Sequence, residues 1–302
     1  MLNLRSAWSP HGAVVLALLA AAAAGCRIEE FGPGGPDRSQ GAQFRDPAWS
    51  PDGERIAFEG SFIDGADYIG GIFIAAATGG EAEWVAVGRS PDWSPDGTKL
   101  AYAWGSIRIL DLATREETEI PGTNPAFNTA WSPDGRAIAY SFNIGTDSSG
   151  VWIVRLGSTP EVSRLPVGEL RGTDPCWSPD GTRIAFGAFD PEYPADQLWV
   201  FDLRSSGLRR VTRHADYEFL RRPAWSPSGR FLSYSSGGAL HVIDVESALE
   251  RTLQETRYSD GSDWSPDGKH IVYVREHLVE PEQSLWVIGN DGNAPLHITA
   301  PE

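Results

Sequence analysis

Asp46, Asn128, Asp174 and Arg222 each stand three residues before a tryptophan, at Trp49, Trp131, Trp177 and Trp225, and Ser90 and Gly261 hold the same offset before Trp93 and Trp264. Two acids, an amide and an arginine gathered on one surface can bind a cation or a polar ligand, and acids so placed can serve a metal-assisted hydrolase or lyase. The plainer reading of the same residues is a solvated rim. A second group, Phe62, Tyr68, Tyr193, Tyr217 and Phe219, sets aromatic rings among acids in longer irregular stretches. Rings of this kind bury area at low entropic cost and suit a protein or peptide partner.

Other chemistry lacks its residues. The chain has no Gly-x-Ser-x-Gly and no Gly-x-x-x-x-Gly-Lys-Ser/Thr, so neither a hydrolase nucleophile nor a phosphate cradle is expected. Its histidines, at 11, 214, 241, 270, 277 and 297, show no His-x-x-x-His spacing, and its two cysteines, Cys26 and Cys176, show no Cys-x-x-Cys spacing. No catalytic residue, metal or cofactor is assigned. A net charge of −16 repels phosphate backbones, which excludes nucleic acid as a partner.

What must position these residues is a repeat. Trp-Ser-Pro-Asp-Gly begins at Trp49, Trp93, Trp131, Trp177 and Trp264, and Trp-Ser-Pro-Ser-Gly at Trp225, with spacings of 44, 38, 46, 48 and 39 residues. Such spacing suits a four-stranded propeller blade. Within each copy, proline presets a type I turn and glycine supplies the left-handed residue that returns the chain as a hairpin. Asp52, Asp96, Asp134, Asp180 and Asp267 share one turn position, which assigns them to turn chemistry. An alternating strand follows every turn, as in Arg55-Ile56-Ala57-Phe58, then a third such as Leu198-Trp199-Val200-Phe201, then a more polar outer strand such as Arg209-Arg210-Val211-Thr212. The fold class is therefore all-β, a six-bladed β-propeller of four-stranded antiparallel blades. Cys176 falls where other repeats carry Ala48, Ala130 and Ala224, and reads as a small buried hydrophobe.

The amino terminus reads as an export signal. Ala13 to Ala24 is an apolar run too short to span a bilayer, and Ala23-Ala24-Gly25-Cys26 resembles the lipobox of bacterial lipoproteins, which makes Cys26 the expected lipidation site. The expected organisation is a signal peptide at 1–25, a flexible tether at 26–44 around Gly32-Pro33-Gly34-Gly35-Pro36, and the propeller at 45–302. Arg27 after the cysteine favours delivery to the outer membrane, with the propeller facing the periplasm or the outside; the alternatives are an ordinary secretory signal cut among the alanines and an uncleaved anchor.

The Trp-Ser-Pro-Asp-Gly repeats resemble those of the TolB family, and less closely the propellers of the prolyl oligopeptidase and tricorn protease families. The resemblance implies six sheets around a central channel, with each repeat tryptophan packed between blades. Complete repeats, absent catalytic motifs and the lipobox together point to a monomeric, non-catalytic binding module for an envelope protein or peptide. TolB carries an α/β domain before its propeller and is soluble, so a role in the Tol–Pal system is not carried over. The alternatives are a propeller enzyme working from acids at the channel mouth and a self-assembling structural component of the envelope.

Overall fold

The structure, a computed structural model, describes residues 43–64, 67–142, 148–189, 195–214, 219–255, 261–276, 283–293 and 295–298. Cys26, the signal segment, most of the tether, Tyr193 and Tyr217 lie outside them.

Six four-stranded antiparallel sheets follow one another along the chain, each built from four consecutive strands. Blade 1 is β1 (Gln43–Trp49), β2 (Arg55–Asp64), β3 (Asp67–Ala76) and β4 (Glu83–Ala86), and blade 2 is β5 (Arg89–Trp93), β6 (Lys99–Trp104), β7 (Ser106–Asp111) and β8 (Glu117–Ile120). Blade 3 comprises β9 (Phe127–Trp131), β10 (Ala137–Phe142), β11 (Gly150–Arg155) and β12 (Glu161–Arg164), and blade 4 comprises β13 (Thr173–Trp177), β14 (Arg183–Phe189), β15 (Asp196–Asp202) and β16 (Leu208–Arg210). Blade 5 runs through β17 (Arg221–Trp225), β18 (Phe231–Ser236), β19 (Ala239–Asp244) and β20 (Glu250–Glu255), and blade 6 through β21 (Ser262–Trp264), β22 (His270–Glu276), β23 (Gln283–Gly289) and β24 (Leu296–His297). Blade 1 starts at Gln43, two residues before the boundary read from the sequence, because Phe44 is buried against Phe58 with ring centroids 5.4 Å apart.

The repeat turns close as their residues dictate. Gly53 N donates to Ser50 O at 2.9 Å with Gly53 at φ +77°, and the Asp52 carboxylate accepts from Ser50 Oγ at 2.5 Å and Glu54 N at 2.9 Å. Each second strand is buried on both faces: Ile56, Ala57 and Phe58 are fully covered, as are Leu100, Ala101 and Tyr102. The reason is stacking, since each apolar cluster spans the junction of neighbouring blades. Ile72 and Val85 of blade 1, for example, pack with Leu100 and Tyr102 of blade 2. The repeat tryptophans sit at these junctions, where Trp93 Nε1 donates to Ala48 O at 3.0 Å and Trp177 Nε1 to Ala130 O at 3.2 Å. Guanidinium groups cover two of the rings, Arg55 over Trp93 and Arg183 over Trp225, each at 4.6 Å.

Phe62 and Tyr68, expected on a loop, lie instead on β2 and β3. That hairpin keeps its register to its tip, with Phe62 opposite Ile69 and Ile63 opposite Tyr68. The β-branched and aromatic residues there suit extended strands.

Candidate functional site

The residues three before each tryptophan share an uncommon backbone. Asp46, Ser90, Asn128, Asp174 and Arg222 have φ of 52°, 56°, 53°, 53° and 49°, and Gly261 has 135°. In blades 1 to 5 the pairing of the first and second strands slips at this residue, as between Arg45 and Ala48 or between Arg221 and Ala224. An extra residue at left-handed φ is a β-bulge, which re-aims the side chain it carries. Here the bulges turn the side chains into the central channel. Asp and Asn tolerate this conformation, whereas Arg222 holds it at a cost of about 1–3 kcal/mol that its surroundings must offset.

They do so with a dense set of bonds. Arg222 reaches from blade 5 across the channel mouth: its Nη2 donates to Asp46 Oδ2 of blade 1, to Ser90 Oγ of blade 2 at 2.7 Å and to Asn128 Oδ1 of blade 3 at 3.0 Å. Its Nε lies 3.4 Å from Asp174 Oδ1 of blade 4. Ser90 Oγ is 2.9 Å from Asp46 Oδ2, and Asn128 Nδ2 donates to Asp174 Oδ1. The structure therefore gathers the four predicted residues, with the Arg222 guanidinium in contact with the other three. Burial pushes Asp46 up to about 7 against the pull of Arg222.

Two residues further along the first strands, Asp92 and Asp263 line the same channel cavity of about 200 Å3. Sequence reasoning missed both, although each breaks a repeat position filled elsewhere by Ala48, Ala130, Cys176 and Ala224. A carboxylate at a position otherwise held by small residues was the available signal. Each bonds the main chain of the next blade: Asp92 Oδ2 accepts from Trp131 N, and Asp263 Oδ2 accepts from Trp49 N at 2.7 Å. Burial raises Asp92 to about 6 and Asp263 to about 7, while the amide donors pull the other way. Cys176 faces this cavity, and its thiol is pushed well above its ordinary value by burial first and by Asp263 second. Among the described residues no three His, Cys, Asp or Glu side chains converge as a metal centre would need.

Around the mouth, three aromatic side chains are open to solvent: Phe219 is 75% exposed, Phe189 54% and Trp104 50%. Trp104 and Phe189 end second strands and Phe219 lies on the crossing from blade 4 to blade 5, so all three belong to the connections that surround the channel mouth. Arg221 lies over the Phe219 ring at 5.9 Å. Phe219 alone of these came from sequence reasoning.

A family profile described as the TolB beta propeller domain matches residues 82–302. A relative from Bacillus subtilis, "Uncharacterized peptidase YuxL", is 32% identical over 130 residues, which are 41% of this chain and 19% of that protein. The chain spans between 19% and 44% of the length of the curated relatives it matches. TolB from Acinetobacter baumannii superposes with TM-score 0.64 at 18% identity over 99% of this chain and 75% of that one. An oligogalacturonate lyase in complex with manganese does so with TM-score 0.58 at 19% identity, over 85% of this chain and 78% of the other. At these identities the superpositions speak for the fold alone, whereas the profile covers most of the sequence. The chain belongs to the TolB beta propeller domain family.

Proposed function

We propose that this protein is a non-catalytic binding module of the bacterial cell envelope, tethered by a lipid on Cys26 and engaging an envelope protein or peptide through its channel-mouth face. The observation that carries this reading is the state of the mouth. Arg222 occupies it and holds Asp46, Ser90, Asn128 and Asp174 to one another, so the charged groups that could act on a substrate are already bonded. Outside that rigid plug stand the exposed rings of Trp104, Phe189 and Phe219, side chains of the kind that anchor protein interfaces. Phe62, Tyr68, Tyr193 and Tyr217 are proposed for the same face, and Arg27 after the lipidated cysteine favours an outer-membrane location.

The test is capture of crosslinked partners from the protein's own envelope, comparing wild type with Trp104→Ala/Phe189→Ala/Phe219→Ala. An envelope protein retained by wild type and lost by the triple variant, with the thermal midpoint unchanged, supports the reading. Equal retention by both removes the face from it. Cys26→Ala must abolish incorporation of labelled fatty acid.

A second reading, a metal-assisted lyase or hydrolase working in the channel, draws on the likeness to the manganese-bound lyase and on the carboxylates of Asp92 and Asp263. It predicts a rise in thermal midpoint on adding manganese or calcium, since an ion bound only by the native state stabilises it. Indifference to both ions removes that reading.

A further inference from the structure

Blade 5 carries a cluster of titratable groups that the channel mouth does not use. In blade 2, Tyr102 pairs across the sheet with Arg108, whose guanidinium lies 3.4 Å from Glu117 and 3.2 Å from Glu119. The same register in blade 5 pairs Tyr234 with His241, sets Thr252 opposite His241 in place of Glu119, and puts Glu250 where blade 2 has Glu117. Thus a permanently charged arginine in one blade is replaced, at the same sheet position and against the same glutamate, by a side chain whose charge depends on a proton.

The geometry around His241 fixes what that proton does. Nε2 lies 3.2 Å from the carbonyl oxygen of Ser236, which can only accept, so Nε2 carries a hydrogen. Nδ1 lies 2.8 Å from Glu250 Oε1, which is a charge-assisted hydrogen bond if Nδ1 is protonated and a meeting of lone pairs if it is not. Thr252 Oγ1, at 3.4 Å from Nδ1, offers that nitrogen a longer and weaker hydrogen bond. Bonds from His241 and Tyr234 hold the Glu250 carboxyl below its ordinary value although burial opposes them.

The cluster also reaches blade 4. His214 is fixed to that blade by its main chain, with its N–H donating to Gln197 Oε1 and its carbonyl accepting from Gln197 Nε2, each at 3.0 Å. Its ring projects to blade 5, where Nε2 is 3.1 Å from the Tyr234 hydroxyl and 4.0 Å from Glu250 Oε2. Among the described residues, the groups facing His241 include Glu250 and Thr252 from β20, Tyr234 from β18 and His214 from the blade 4 side. Arg209 of β16 turns away to Val245 O and Glu246.

We propose that His241, Glu250, Tyr234 and His214 form a proton-dependent clamp on blade 5 at its junction with blade 4, in which His241 holds Glu250 while it carries two ring protons and releases it when it loses one. The clamp is present at acidic to neutral pH and is lost as the pH rises and Nδ1 is deprotonated.

The experiment follows the thermal midpoint of the full chain from about pH 5 to about pH 9, a range that brackets histidine titration, for wild type, His241→Arg and Glu250→Gln. Nitrogen-detected histidine NMR on wild type accompanies it. Taking differences between proteins cancels the other carboxylates. Relative to His241→Arg, which restores the blade 2 arrangement, wild type should lose about 2–4 °C across this range, and Glu250→Gln should remove that pH dependence. At neutral pH the His241 ring should carry hydrogens on both nitrogens. A wild-type-to-variant difference constant with pH, or a singly protonated His241 at neutral pH, overturns the clamp. The NMR reading decides it even where His241→Arg does not fold.

Discussion

Asp263, before the last repeat tryptophan, accepts the main-chain N–H of Trp49, the first, at 2.7 Å, joining residues 214 positions apart. Every blade is made of consecutive strands, so no described strand is exchanged between the first and last blades. Closure of the ring rests on this bond and on the apolar junction where Phe44, Phe58 and Phe73 meet Val272, Leu285 and Ile298. Asp92 makes the equivalent bond from blade 2 to blade 3 through Trp131 N, inside the ring and not across its ends.

Asp263→Ala should therefore lower stability by about 1–3 kcal/mol, the cost of stranding buried amide donors, and should open the junction of blades 1 and 6 first. Asp92→Ala should cost a similar amount without that preference. Urea unfolding gives the first quantity, and hydrogen exchange at Trp49 against Trp131 gives the second. Equal exchange at both amides in the Asp263 variant would refute the closure role.

Arg222 answers to Asp46 and Asp174 together, and all three side chains are mostly buried. Arg222→Met should destabilise the fold by about 3–5 kcal/mol, because the charges left behind have no partner. Adding Asp46→Asn should return part of that loss, and a double-mutant cycle reads the coupling. Strict additivity of the two substitutions would mean that the plug is not held by this pair.

The repeat made most of this legible. Six tryptophan turns at blade spacing fixed the strand count, and one offset from them placed Asp46, Asn128, Asp174 and Arg222 on a common ring. The sequence did not reveal that Arg222 bonds across four other blades, since its partners lie between 48 and 176 residues away and nothing local encodes that reach. His214 and His241 look scattered along the chain, yet their rings lie 6.5 Å apart, because a blade crossing brings them together and periodicity stops at the blade edge. Phe62 and Tyr68 stand on strands because the β2–β3 pairing continues to Asp64 and Asp67, an extension that no clean alternation in Gly60-Ser61-Phe62-Ile63 signals.

Stability should peak on the acidic side of neutrality. Asp46, Asp92 and Asp263 are raised to about 7, 6 and 7, so they bind protons more readily folded than unfolded, and their contribution is lost as pH climbs through those values. The turn carboxylates Asp96, Asp180 and Asp267 are held near 2 by hydrogen bonds from Ser94, Ser178 and Ser265 first, so their contribution is lost as pH falls through about 2. Between these limits, from about pH 4 to about pH 6, both sets contribute. Thermal midpoints measured across that range should fall towards neutral pH, and a midpoint that rises from pH 6 to pH 8 contradicts the assignment.

Blade 5 has the one repeat turn without an aspartate, and its geometry is looser. Ser228 Oγ accepts from Arg230 N at 3.4 Å, whereas Asp52, Asp134 and Asp267 accept the equivalent amide at 2.9 to 3.0 Å. The Ser226 hydroxyl bonds Ser228 Oγ at 2.9 Å, against 2.6 Å from Ser132 to Asp134 and from Ser265 to Asp267. A carboxylate there would accept both bonds at once with charge assistance. Ser228→Asp should stabilise the protein by about 0.5–1 kcal/mol, and Asp134→Ser should destabilise it by a similar amount. Guanidinium unfolding of the two variants checks the pair, and the gain from Ser228→Asp should be lost as the pH falls through about 2, where the aspartates so held in the other turns take up their protons. A gain that persists in acid would assign the effect to something other than the carboxylate.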